Sequence, residues 1–148
     1  MTKLVQALSR FAVAGIAFGY GVALAEWARV LSTPFTILYG YALLCFPLVA
    51  ATLILINRAF RDDFPLNRTD SLQKVVGHAP AWSKAVAAAG VLVSFAAPLV
   101  FLGGSTHLSI EQWRIAEPKV RAVLYLSFAF PWFLSVLGLQ SVAARRAA

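Results

Sequence analysis

The sequence predicts an all-α integral membrane protein, a four-transmembrane-helix bundle with short amphipathic helices in the 2–3 and 3–4 connectors. Three observations predict this class. The segment Phe35–Asn57 runs 23 residues without a charged side chain, enough to cross a hydrocarbon core ~30 Å thick at ~1.5 Å per residue. The chain is 60% hydrophobic and 13% charged, against about 25% charged in soluble domains. Its basic residues stand in short connectors between apolar runs. We therefore expect residues 1–148 to form a single membrane domain in the lipid bilayer.

The first predicted transmembrane helix covers about residues 4–30. Its uncharged stretch, Phe11–Ala25, has 15 residues, and the flanking Arg10 and Glu26 can extend towards headgroup water. The same segment also fits a cleavable signal peptide over residues 1–25, because basic residues precede an apolar run that ends in Ala-Leu-Ala. Both interpretations place Glu26 on the outer side.

The other three predicted transmembrane helices cover about residues 35–57, 81–104 and 120–144. Within the third, Ala85–Thr106 is 22 residues without charge, and the fourth contains the 23 uncharged residues Ala122–Ala144. Each is long enough to span the hydrocarbon core. The sequence therefore predicts four crossings.

Two connectors carry signals of short helices. In the connector after the second crossing, Leu72, Val75 and Val76 share one helical face, which predicts an amphipathic helix on the inner membrane surface. Before the fourth crossing, Ser109 and Gln112 form a capping-box pattern. We expect a second short helix there.

The distribution of Lys and Arg predicts the orientation. With the N-terminus inside, nine basic residues lie on the inner side and four on the outer side. The inner set is Lys3, Arg10, Arg58, Arg61, Arg68, Lys74, Lys84, Arg145 and Arg146; the outer set is Arg29, Arg114, Lys119 and Arg121. Because cytoplasmic loops carry the excess of positive charge, both termini are predicted to be cytoplasmic, in the inner (plasma) membrane of the cell.

The same pattern argues against several function classes. The net charge of +7 lies in connectors and forms no basic stripe that would bind nucleic acid. His78 and His107 are predicted on opposite sides, and His107 with Glu111 supplies two metal ligands where catalytic zinc needs three. We therefore predict no metal, no cofactor and no enzymatic activity. An enzyme that uses His107, Glu111 and Arg114 of the outer loop is the weakest alternative.

A small-residue face marks the first helix. Gly15, Gly19 and Ala23 are spaced four apart, so they share one face and allow another helix backbone to approach closely. This pattern predicts either a partner or dimerisation face, or ordinary packing inside the bundle.

An outer polar cluster is predicted around Glu26, which continues the face of Gly15 three turns on. Its expected partners are Arg29, Lys119 or Arg121. Either a structural ion pair or a gate or ligand contact would explain the carboxylate. The full predicted cluster is Glu26, Arg29, Glu111, Arg114, Lys119 and Arg121.

Three prolines predict helix kinks at similar depth. Pro47, Pro98 and Pro131 each remove a backbone donor near the middle of a crossing. Ser94 and Ser127 stand four residues before two of them, where a hydroxyl could satisfy the backbone. Kinks at one depth would suit a transporter or a lipid groove, whereas proline is also simply tolerated in membrane helices.

Two short motifs resemble those of the GtrA-like family. Arg10–Gly15 and Asn57–Phe60, ten residues in all, are similar to motifs of these small four-span proteins, which are linked to moving polyprenyl-linked sugars across the membrane. The end of the fourth crossing lacks the second copy of the asparagine–arginine–aromatic motif. The resemblance implies movement of a lipid-linked group.

Two functional hypotheses follow from the sequence. The first is a non-enzymatic membrane protein that acts through helix–helix contact with a membrane-protein partner or a second copy of itself, as an accessory subunit, assembly factor, regulator or immunity-type protein. The second is a small oligomeric transporter or flippase of a lipid-linked or small neutral substrate.

Overall fold

Helices make up all the regular structure in the part of the chain that the structure describes. The computed structural model describes residues 2–61, 69–102 and 110–147. Its helices are α1 (Thr2–Trp27), α2 (Phe35–Phe60), α3 (Thr69–His78), α4 (Ala81–Leu102), α5 (Ile110–Phe128) and α6 (Phe130–Ala147). Long apolar runs adopt this form because a helix pairs its own backbone polar groups without help from water.

Four helical runs are long and apolar enough to cross a membrane: Lys3–Trp27, Phe35–Phe60, Ala81–Val100 and Glu117–Ala147. The all-helical class with four potential crossings is therefore confirmed. The cytoplasmic position of both termini stays a prediction.

The surface of the helices is apolar where a bilayer would cover it. Leu43 and Phe46 on α2, and Leu92 and Leu99 on α4, expose between 65% and 75% of their surface. Contiguous exposed apolar patches of this kind are rare on soluble monomers and mark contact with lipid or another protein.

The α5–α6 pair is the centre of the structure. It packs against α1, α2, α3 and α4, whereas α1 and α2 have little direct contact with each other. In the apolar window of this pair 56% of the residues are buried, compared with 22–28% in the other three crossings. Tyr125, Trp132 and Leu139 are at most 1% exposed. The other helices therefore use the fourth crossing as their common packing partner.

The fourth crossing is interrupted at Ala129, where the sequence predicted one helix over residues 120–144. The Ala129 amide donates to the Leu126 carbonyl at 3.2 Å, three residues back instead of four. Pro131 has no N–H, so the Ser127 carbonyl loses its usual intrahelical donor. By contrast, α2 continues through Pro47 and α4 through Pro98.

Ser94 bridges α4 to this interruption. Ser94 is 4% exposed, and its hydroxyl donates to the Leu126 carbonyl at 2.8 Å. We expect Ser94→Ala to lower the free energy of unfolding by about 0.5–1.5 kcal/mol, because a buried interhelical hydrogen bond is lost.

Ser127→Ala is the matched control for that prediction. The Ser127 hydroxyl donates to Val123 of its own helix at 2.9 Å, so its removal leaves the contact between α4 and α5 intact. In denaturant titrations of the purified variants in detergent, Ser94→Ala should have a lower free energy of unfolding than Ser127→Ala. Equal stabilities would show that the bridge contributes nothing.

The connector helices differ from the predicted ones. Helix α3 occupies the 2–3 connector, and its place on a membrane surface stays a prediction. The expected short helix before the fourth crossing is not separate, since α5 runs from Ile110 through Pro118 to Phe128. An unbroken helix keeps the remaining backbone groups paired, which is favoured where water is scarce.

Helix α3 is fixed to the ends of α4 and α6. Val75 is 3% exposed, and α3 packs mainly on α6. The Lys84 ammonium donates to the Gly77 carbonyl at 2.9 Å, which satisfies an acceptor at the C-terminal end of α3. The Arg145 guanidinium lies 5.8 Å from the ring of Phe60. The C-terminal ends of α2, α3 and α6 are thus gathered at one end of the molecule.

Candidate functional site

Buried polar side chains meet at the C-terminal end of α1. Glu26 is 0% exposed, Thr33 5% and Arg121 6%. We call Glu26, Ser32, Thr33, Glu117 and Arg121 the ion-pair cluster, because a salt bridge between Glu26 and Arg121 joins them. Such charges are rarely buried unless they are paired.

The backbone after α1 turns so that Thr33 faces Glu26. Arg29 has a φ of 58°, the left-handed conformation that commonly ends helices. The Val30 amide donates to the Ala25 carbonyl at 2.9 Å, and the Arg29 amide donates to the Glu26 carbonyl at 3.0 Å. These two bonds form a Schellman motif. The reversal returns the connector over the last turn of α1.

Each oxygen of the Glu26 carboxylate accepts hydrogen bonds. Oε1 accepts from the backbone amide and from the hydroxyl of Thr33, both at 2.5 Å. Oε2 accepts from Nε of Arg121 at 3.1 Å. These bonds offset the cost of removing the charge from water.

The Arg121 guanidinium links three segments of the chain. Besides Glu26 on α1, it donates from one terminal nitrogen to Glu117 of α5 and from the other to the Ser32 hydroxyl at 3.0 Å. Its planar group also lies 6.0 Å from the ring of Phe35 at the start of α2. The several donors of arginine suit this role, which a lysine could not fill.

An aromatic stack continues the ion-pair cluster into the core. The Thr33 hydroxyl is 3.2 Å from the Tyr125 hydroxyl. The ring of Tyr125 lies 5.6 Å from that of Tyr41, which stacks on Trp132 at 5.4 Å with an interplanar angle of 10°. The cluster and the centre of the bundle therefore form one packed unit.

The predicted small-residue face meets this stack. A Cβ added to Gly15 would fall among the ring atoms of Trp132, and one added to Gly19 would fall on the Tyr41 hydroxyl. Ala23 is 3% exposed. The described contacts of these residues thus match ordinary packing within the chain, the second of the two interpretations.

Two polar atoms in the stack have no hydrogen-bond partner among the described residues: the Tyr41 hydroxyl and the Trp132 indole nitrogen. Each such group costs about 1–3 kcal/mol when left unpaired. The close approach to the glycines explains their position, because the rings fill the space that side chains would otherwise occupy.

The structure brings together part of the predicted outer polar cluster. Glu26 and Arg121 pair, whereas the Lys119 ammonium lies 5.5 Å from the ring of Trp27. Arg29 is exposed in the connector. The side chains of Glu111 and Arg114, like residue His107, lie outside the described residues.

Sequence reasoning missed Ser32, Thr33 and Glu117. The spacing of Glu117 and Arg121, four residues apart, is a signal that could have found one of them. Nothing in the local pattern identifies Thr33, because its contact with Glu26 depends on the turn at Arg29.

The ion-pair cluster has the chemistry of a structural element. Both Glu26 oxygens are already engaged, so the carboxylate is not poised to take a proton from a substrate. Among the described residues, no group of three or more His, Cys, Asp or Glu side chains could hold a metal ion.

Four long apolar helices are the features of a small multi-pass membrane protein, and the buried ion pair lies at the C-terminal end of α1. No family model, curated protein or solved structure matches the chain. The GtrA-like resemblance of Arg10–Gly15 and Asn57–Phe60 gains no support from these comparisons.

Proposed function

We propose that this chain is a non-enzymatic inner-membrane protein that acts through helix–helix contact, as an accessory subunit, assembly factor, regulator or immunity-type protein. The observation that carries the proposal is that Glu26 is fully buried and hydrogen-bonded. Its carboxylate accepts hydrogen bonds from Thr33 and Arg121, so this buried charge pair stabilises the fold.

The outward face of α4 supports an interaction role. Helix α4 packs on α5 and α6, and Leu92, Phe95, Leu99 and Val100 expose 60–75% of their surface on its other side. A long apolar ridge suits contact with another membrane helix, where close van der Waals packing drives association.

Extraction in a mild detergent tests this proposal. A tagged chain should co-purify with a membrane protein at fixed stoichiometry, or with a second copy of itself, and native mass spectrometry should record the complex. Leu99→Gln on the ridge should weaken the complex, whereas Leu43→Gln on the exposed face of α2, outside the groove, serves as the control. A chain that is always monomeric and has an activity of its own would contradict the proposal.

A small transporter or flippase is the second candidate. The interruption at Ala129 lies beside an apolar groove between α2 and α6, with Phe130 and Pro131 in its wall. This function predicts flux in liposomes, and Pro98→Ala or Pro131→Ala should alter flux before stability. Flux that neither replacement changes would count against it.

A further inference from the structure

An apolar groove runs between α2 and α6, and α3 closes one of its ends. The groove has a volume of about 530 Å³. Ala42 and Phe128 line one end, and Ile56, Val75 and Ser141 line the other.

The walls of the groove are mostly apolar. Three small polar groups line it, those of Cys45, Thr52 and Ser135. Each donates a hydrogen bond to a carbonyl of its own helix. The groove therefore offers an apolar ligand a preformed surface.

The dimensions of the groove suit an acyl chain. Ala42 and Ile56 are 14 positions apart on α2, which corresponds to about 21 Å along the axis. This exceeds half of a hydrocarbon core ~30 Å thick. The groove thus follows the membrane normal through one leaflet and reaches the middle of the bilayer.

The groove has the length and volume of a hydrocarbon chain. Its volume of about 530 Å³ extends along about 21 Å of helix axis. A flexible hydrocarbon chain can follow this space between α2 and α6 without separating the two helices. A second copy of the protein is the other possible occupant, and cross-linking distinguishes it from a lipid.

Positive charge lies at the end of the groove formed by α3. Arg145 follows Ser141 by one turn on the groove-facing side of α6, and its guanidinium lies 5.8 Å from the ring of Phe60 at the end of α2. Arg146 is the next residue and is exposed. On the predicted cytoplasmic side as a whole, nine Lys and Arg residues face three Asp residues. A headgroup at this end would therefore meet a positive potential, which favours anionic lipids by about 1 kcal/mol per nearby cation.

We propose that the groove holds one acyl chain of an anionic phospholipid of the cytoplasmic leaflet, with the lipid phosphate at the end where Arg145 and Arg146 lie. The apolar walls bind the chain, and the basic residues select the headgroup. This inference requires membrane insertion, but it does not depend on which protein the chain contacts.

Competition between two lipids tests the proposal. The purified full chain is exposed to equal amounts of phosphatidylglycerol and phosphatidylcholine with identical acyl chains, and retained lipid is measured by native mass spectrometry. We expect one phosphatidylglycerol per chain, in about tenfold excess over phosphatidylcholine. Arg145→Gln with Arg146→Gln should remove this preference, whereas Arg10→Gln, a charge change on α1, should keep it. Equal retention of both lipids by the unaltered chain would overturn the proposal.

Adjacent residues of α2 provide a matched steric pair. Val49 lines the groove, whereas Ala50 is exposed and is not part of its wall. We expect Val49→Trp to reduce lipid retention at least tenfold and Ala50→Trp to leave it unchanged. The same retention in both variants would overturn the proposal.

A photoreactive lipid tests the site in the unaltered chain, so the result does not depend on whether a variant folds. A phosphatidylglycerol with a diazirine on its acyl chain should label residues 42–56 of α2 or 128–141 of α5 and α6. Labelling spread equally over the exposed face of α4, or cross-links to a second copy across the groove, would overturn the proposal. Release of the chain from membranes by alkaline carbonate would instead show that membrane insertion itself is wrong.

Discussion

Arg121→Met should lower the free energy of unfolding by about 3–5 kcal/mol, because it leaves a buried carboxylate without its counter-charge. Glu26 is 0% exposed and Arg121 6%, so water cannot replace the lost partner. The same substitution also releases Ser32 and Glu117, which Arg121 joins to the end of α1. Denaturant titration in detergent micelles, followed by circular dichroism, measures the loss.

The double variant Glu26→Gln with Arg121→Met separates the cost of an unpaired charge from the value of the pair. Removing both charges should recover a large part of the stability that Arg121→Met loses, since neutral groups cost less to bury. Lys119→Met is the matched control. Lys119 is exposed and lies 5.5 Å from the ring of Trp27, so we expect a change of at most about 1 kcal/mol.

The result that would contradict this account is a stable Arg121→Met. If Arg121→Met were as stable as Lys119→Met, the buried salt bridge would not hold α1 to α5. If the double variant were no better than Arg121→Met, the loss would come from packing and not from the charge left on Glu26.

Gly15→Ala should destabilise the protein by about 1–3 kcal/mol, because the added methyl group overfills a packed core. The Cβ would lie among the ring atoms of Trp132, a residue only 1% exposed. Moving Trp132 aside would disturb its stacking on Tyr41, with ring centroids 5.4 Å apart, and its contact with Phe11 at 5.4 Å. Thermal unfolding of the purified variant should show a lower midpoint.

Gly21→Ala is the matched control on the same helix. A Cβ at Gly21 has nothing within 4 Å, so the change adds no clash and removes the backbone freedom of glycine. We expect it to be neutral or to stabilise α1 by up to about 1 kcal/mol. Equal effects of Gly15→Ala and Gly21→Ala would show that Trp132 does not pack on Gly15 as described.

The four apolar helices could be predicted because their signal is local. Length, hydropathy and the absence of charge in Phe35–Asn57 depend only on neighbouring residues. The resulting helix, α2, begins at Phe35 and continues three residues beyond the prediction, to Phe60. The extra turn carries Arg58, whose charge marked the end of the apolar run in the sequence but does not prevent helix formation.

The interruption of the fourth crossing was less predictable. Pro131 predicted a kink in this helix, but the residue that interrupts the helix is Ala129. The Ser94 hydroxyl from a different helix bonds to the Leu126 carbonyl there. No local rule pairs residues 94 and 126, so the sequence could not predict this bridge.

By itself the sequence determined the all-helical class, the four apolar helices and the candidate partners of Glu26, because hydropathy and charge act along one helix at a time. Only the tertiary structure decided that Arg121 is the partner of Glu26, that Thr33 completes its hydrogen bonds, and that the α5–α6 pair is the common packing partner of the other helices. These choices depend on contacts between residues far apart in the chain, such as Glu26 and Arg121, which are 95 positions apart. The angles at which helices cross and the places where the chain reverses determine which distant residues meet. A local sequence pattern specifies neither of them.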